Sequence, residues 1–169
     1  MDATQSLPEL VAAAQSAADL SQNRIAEVRA QPNGKSADAD LLAAATDIGA
    51  TAIDIFSVFE ARMQRYFKRG PLSRKVKAAL LDVGQADLAD KLHQHYLMIN
   101  VLKHGTGASH RELLGNKSKL VSARSATKEG DNTAAPHIDL IDVTQPDFFG
   151  TLAATILEAA AFLQNRNAP

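Results

Sequence analysis

Cysteine and tryptophan are absent from the 169 residues, and aromatic residues make up only 5%. Without cysteine there is no disulfide framework, no thiolate nucleophile and no Cys-based zinc site. Uninterrupted apolar runs stay short of the roughly 18 residues needed to span a bilayer. The N-terminus carries Asp2 and no basic cluster, unlike a signal peptide. The expectation is a soluble, cytoplasmic chain with no membrane partner. What is present fits a packed core: 46% hydrophobic and 22% charged residues exclude collagen-like, mucin-like and wholly disordered classes. The length predicts one domain over residues 1–169.

Charge of one sign is also nearly absent from the balance, at -1, but it is segregated along the chain. Arg62, Arg65, Lys68, Arg69, Arg74, Lys75 and Lys77 lie between Ala61 and Leu81 with no acidic residue among them. A weaker basic stretch follows from Lys103 to Lys128, opposed only by Glu112, and Glu129 to Asp147 is then purely acidic. Solvated helix faces account for such runs; a surface for phosphate or an acidic partner is the functional alternative.

Apolar spacing predicts an all-α bundle of about five main helices. Leu7, Val11, Ala14, Ala18, Ile25 and Val28 mark the first, with Ser6 and Glu9 at capping-box spacing. Leu41, Ala45, Ile48, Ala52, Ile55, Phe59, Met63 and Tyr66 form one stripe of a long second helix, from about Asp40 to Arg69, stopped by Gly70-Pro71. A third is expected from a Ser73 cap, with Val76, Leu80 and Val83 inward until Gly84. A fourth runs from Asp87 to His104 with Gly105 as its cap, burying Leu88, Leu92, His95 or Tyr96, Ile99 and Leu102. Ser109 and Glu112 repeat the capping-box spacing before a short turn of helix. Residues 115–136, rich in Ser, Lys, Gly, Asn and Thr, read as an exposed loop, with Leu120-Val121 and the segment His137 to Val143 able to pair as a small β-hairpin. Phe149, Leu152, Ile156, Ala160 and Leu163 mark the last helix, Pro146 to Asn165.

The five histidines do not make a metal site. His93 and His95 diverge around a helix, and His93 and His104 stand about 16 Å apart at 1.5 Å per residue. No metal and no cofactor is expected. Gly105-Thr106-Gly107 follows a helix and lacks the lysine-serine ending of a phosphate loop, and there is no Gly-x-Ser-x-Gly elbow. What carries chemistry is the end of the fourth helix. Asn100 and His104 are one turn apart on one face with Lys103 beside them, and His93 extends the line. An imidazole can transfer protons, an amide can orient a base or phosphate, and a lysine can hold a phosphate. The same trio can instead satisfy the last carbonyls of the helix.

At this segment the chain resembles the HEPN family, the higher eukaryote and prokaryote nucleotide-binding helical domains. The likeness runs through Phe59-Glu60-Ala61, Phe67-Lys68-Arg69-Gly70, Leu72-Ser73-Arg74-Lys75-Val76, Gly84, Asp87-Leu88 and Ile99-Asn100-x-x-x-His104-Gly105. Active members carry Arg-Asn-x-x-x-His near the end of a core helix; Asn100 and His104 match, and Ile99 stands in place of the arginine. The resemblance implies metal-independent RNA cleavage by paired subunits, with histidine moving the proton and arginine stabilising the phosphate charge. Losing one such charge-stabilising group costs about 2.7–4 kcal/mol of barrier by analogy with an oxyanion site. The expectation is therefore a degenerate member, homodimeric, binding RNA or a protein partner in bacterial regulation, stress or defence. The alternatives are a toxin-like endoribonuclease using His104, Asn100 and Lys103, and a regulator acting only through protein contacts.

Overall fold

The structure, a computed structural model, describes residues 5–30, 37–68, 70–115 and 136–166. Among these the chain is helical, with no strand: α1 Leu7–Ala30, α2 Ala37–Met63, a 3-10 turn Gln64–Tyr66, α3 Leu72–Asp82, α4 Ala86–His104, α5 Ala108–Gly115 and α6 Phe148–Arg166. The all-α bundle expected from apolar spacing is what forms, with six α-helices rather than about five.

Only some helix starts carry the side-chain cap that the spacing suggests: α3 begins at Leu72 after Pro71, with Ser73 inside the helix rather than capping it, and neither α3 nor α4 has a side-chain cap bond. Ser6 and Glu9 close a reciprocal cap on α1: the Ser6 N–H and hydroxyl donate to Glu9 Oε2 at 2.7 and 2.8 Å, and the Glu9 N–H donates back to Ser6 Oγ at 3.4 Å. These bonds hold the Glu9 carboxyl below its ordinary range. Replacing the cap, Ser6→Ala, is expected to lower stability by about 1 kcal/mol, read as a shift of the urea midpoint at unchanged slope. The second capping box does not form. Ser109 lies inside α5, and Glu112 reaches across to His93 on α4 instead, at 2.7 Å.

α1 and α2 pack along their lengths as an antiparallel pair, α3 and α4 form a second pair, and α6 lies against α1, α2 and α4. The expected stripes meet in this core: Ile25, Ile48, Phe56, Phe59, Met63, Leu80, Leu102, Phe149, Leu152, Ile156 and Leu163 are all sealed from solvent. Phe56 and Phe59 stack at a tilt, 5.6 Å between centroids. α2, extended by its 3-10 turn, is long and apolar enough by composition to cross a membrane, but its inner stripe is core, Asp54 is exposed, and Asp47 pairs with Arg24 of α1 at 3.9 Å.

Further expectations are corrected. α2 gives way to a 3-10 turn at Gln64 instead of running to Arg69, and Phe67 is extended, with its side chain packed against the core. Arg69 itself lies outside the described residues. Val83 is 56% exposed rather than inward, since α3 ends at Asp82 and Val83 is its C-terminal cap. The hairpin does not form in its described half. Pro136 to Val143 is a series of tight turns, with Ile138 N–H to Pro136 O, Leu140 N–H to His137 O and Val143 N–H to Ile141 O. Leu140, Ile141 and Val143 are buried together, which breaks the alternation a strand needs. Leu120-Val121 and residues 116–135 fall outside the described residues. The turn segment is strapped to α1 by Gln22, which donates to Val143 O and Gln145 O, and by Arg29, which donates to Thr144 Oγ1 at 3.0 Å.

Candidate functional site

α4 places Asn100 and His104 on one face, as their spacing requires. Asn100 is half-buried and His104 is exposed at the last helical position. The imidazole does not close its own helix. That task falls to backbone groups: the Gly105 N–H donates to Val101 O at 2.8 Å, and the His137 N–H donates to Leu102 O at 3.0 Å. Gly105 holds φ 71° and ψ -139°, with the His137 ring packed against it. Among the described residues His104 is thus left without a hydrogen-bond partner at the helix end.

Lys103 does not stand with it. Its ammonium turns toward α2 and donates to Ser57 Oγ at 2.9 Å, 46 residues away in sequence. Glu60, one turn further along α2, is half-buried beside it. Burial pushes the Glu60 carboxyl up, and the positive charge of Lys103 opposes that shift in part. Ile99 is 2% exposed and belongs to the core. His93, expected to extend the polar line, is engaged with Glu112 and ties α4 to α5.

The basic segment divides in the same way. Arg62 donates to the carbonyl of Gln5 at 2.8 Å and fixes the approach to α1. Lys77 pairs with Asp90 across the α3–α4 hairpin at 3.8 Å. Lys75 donates to the carbonyl of Lys68 and lies over Gly70, which clamps the chain between α2 and α3. Arg65, Lys68 and Arg74 remain exposed at that corner, and none of the three is in an ion pair among the described residues. Arg65 lies over the Tyr66 ring, 4.8 Å from its centroid, and donates to the Tyr66 hydroxyl.

Beneath this corner is a cleft of about 380 Å³ between α2, α4 and the start of α3, lined by Glu60, Gln64, Ser73 and Tyr96 among others. The cleft and His104 are separate places: Tyr96 and His104 lie eight residues apart on α4, about 12 Å along its axis. Spacing in the sequence united Asn100 with His104, but not the Ser57–Lys103 contact, whose partners are distant in the chain. The one available signal was Glu60, the last acid before the basic segment. Among the described residues no three His, Cys, Asp or Glu side chains converge in a way that could hold a metal ion.

The chain matches no protein-family model, and comparison with curated proteins and with solved structures finds no relative.

Proposed function

We propose that this helical bundle binds RNA through the corner at the end of α2 and the start of α3, and that it is a non-catalytic or feebly catalytic HEPN-like protein. The observation that carries the reading is the set of three cations, Arg65, Lys68 and Arg74, exposed at one corner and without an ion-pair partner among the described residues, on a chain whose net charge is -1. Cations left unpaired on a near-neutral chain create a local positive field where phosphates gain most from counterion release. The Arg65 guanidinium, laid over the Tyr66 ring, adds a planar cation against which a base can stack.

Weak catalysis follows from what surrounds His104. A general acid or base acting on a phosphodiester needs a cation nearby to stabilise the charge that develops. Lys103, the adjacent cation, is committed to Ser57, and position 99 is an apolar core residue. His104 retains proton-transfer capacity with no partner on its own helix to complete the pair.

The test is a mobility-shift assay with mixed RNA in EDTA at low and moderate salt. Retarded complexes at low salt that weaken as salt rises, with the RNA intact, are expected. Absence of any complex at low salt would remove the RNA assignment. Cleavage lost in His104→Ala would instead establish the endoribonuclease alternative.

A further inference from the structure

The opposite end of the α3–α4 hairpin carries a different surface. A groove of about 910 Å³ opens between the α3–α4 turn, the first turns of α4 and the end of α6. Its apolar lining includes Leu88 and Phe162, with Val83 at its edge. Val83 is 56% exposed and Leu81, on the last turn of α3, is 47% exposed. Two large aliphatic side chains thus stand in solvent beside an apolar groove on one small turn.

The rim is charged in a specific way. Asp87 and Glu158 supply two carboxylates, and Lys91 and Arg166 supply two cations. None of the four is ion-paired within the chain among the described residues, although all line one groove. Charges of both signs on one patch, summing to zero, give neither a polyanion nor a polycation a net attraction. They suit a surface of the same composition turned through 180°, where each carboxylate meets a cation of the other copy. That is the requirement of an isologous two-fold contact, in which one patch must complement itself.

From this self-complementarity we infer that the groove is a homodimer interface, formed with a second copy of this chain. Val83 and Leu81 of one protomer enter the groove of the other, and because Val83 also lines its own groove, the two-fold axis passes beside the α3–α4 turn. Gly84, with φ 77° and open space around it, lets the chain turn sharply enough to present Val83 at the tip. The interface lies about 25 Å from His104, the span of the 17 residues from Asp87 to His104 along α4. The dimer leaves both His104 side chains and both basic corners open, and it stands whether or not the protein binds RNA.

The experiment is sedimentation of the full chain across a range of concentrations, read as the dimer dissociation constant. Wild type is expected to dimerise. Val83→Glu is expected to weaken the dimer about tenfold or more while the far-ultraviolet spectrum is unchanged, whereas Leu20→Glu on the exposed face of α1 has no effect. Asp87→Lys with Glu158→Lys makes the rim wholly cationic and is also expected to weaken association about tenfold. Adding Lys91→Glu and Arg166→Glu to that pair inverts every sign and restores association, a rescue that an unfolded variant could not give. A wild type that stays monomeric, or a dimer indifferent to Val83→Glu and to the half-swapped rim, overturns the inference. So does a dimer broken instead by substitutions at Asn100 and His104.

Discussion

Between pH 6.5 and pH 4 the bundle is expected to lose about 3 kcal/mol of stability through one side chain, His95. His95 is 1% exposed on α4; its Nδ1–H donates to Lys91 O at 2.9 Å, and Nε2 has no hydrogen-bond partner among the described residues. Burial pushes the imidazole down from 6.5 to about 4; the bond to the Lys91 carbonyl resists, and the nearby Lys91 charge adds a little to the fall. The unfolded chain therefore takes up a proton near 6.5 and the folded chain only near 4. In that window the unfolded state binds more protons, so acidification favours it, and the effect is complete below the lower value. Glu60 works in the opposite sense: a carboxyl pushed up by burial binds its proton more readily in the folded chain, which offsets part of the loss.

The check is denaturant unfolding at pH 7 and pH 4. His95→Leu is expected to reduce the stability difference between the two pH values by about 3 kcal/mol, because the variant has no imidazole to protonate. The orphaned Nε2 also disappears, so the variant is expected to equal or exceed the wild type at pH 4. An unchanged difference in His95→Leu would show that the acid sensitivity resides in the carboxylates.

Gly105→Ala is expected to destabilise the fold by about 2–3 kcal/mol, for two separable reasons. The backbone at Gly105, φ 71° and ψ -139°, is a conformation that side-chain-bearing residues rarely adopt. A Cβ there would also stand 3.0 Å from His137 Cε1 and Nε2 and 3.1 Å from Cδ2. The His137 backbone is held by its bond to Leu102 O, so relief of the contact requires the ring itself to rotate. In a His137→Ala background the steric part vanishes and the backbone part remains, so Gly105→Ala should cost less there than in the wild type. Equal costs in the two backgrounds would mean that the ring yields without resistance.

These particulars show what local spacing can and cannot specify. The stripes of α2 and α6 were legible because a 3.6-residue period places Ile48, Ala52, Ile55 and Phe59, or Leu152, Ile156 and Leu163, on one side whatever lies opposite. The cap at Ser6 and Glu9 was legible for the same reason, since both partners sit within one turn. The equivalent spacing at Ser109 and Glu112 misled because a tertiary partner, His93, competes for the same carboxylate. At the candidate site, the shared face of Asn100 and His104 follows from their separation of four. The direction of Lys103 does not, because it is decided by Ser57 and Glu60 on a helix 40 residues earlier. The basic segment reads as uniform in sequence, yet Arg62, Lys75 and Lys77 hold structure together, and among its described residues Arg65, Lys68 and Arg74 are left for a ligand. The turns at Pro136 to Val143 escaped because burial of Leu140, Ile141 and Val143 depends on where α1 and α2 lie.

The role of those three cations is tested most directly by the salt dependence of single-stranded RNA affinity, measured by fluorescence anisotropy. Three phosphate contacts predict a slope of about -2 for the logarithm of the association constant against the logarithm of salt. In Arg65→Gln/Lys68→Gln/Arg74→Gln that slope should fall toward zero, with affinity lost at low salt and helical content retained. Tight binding with an unchanged slope in this variant would contradict the account, as would a wild type that binds no RNA at low salt.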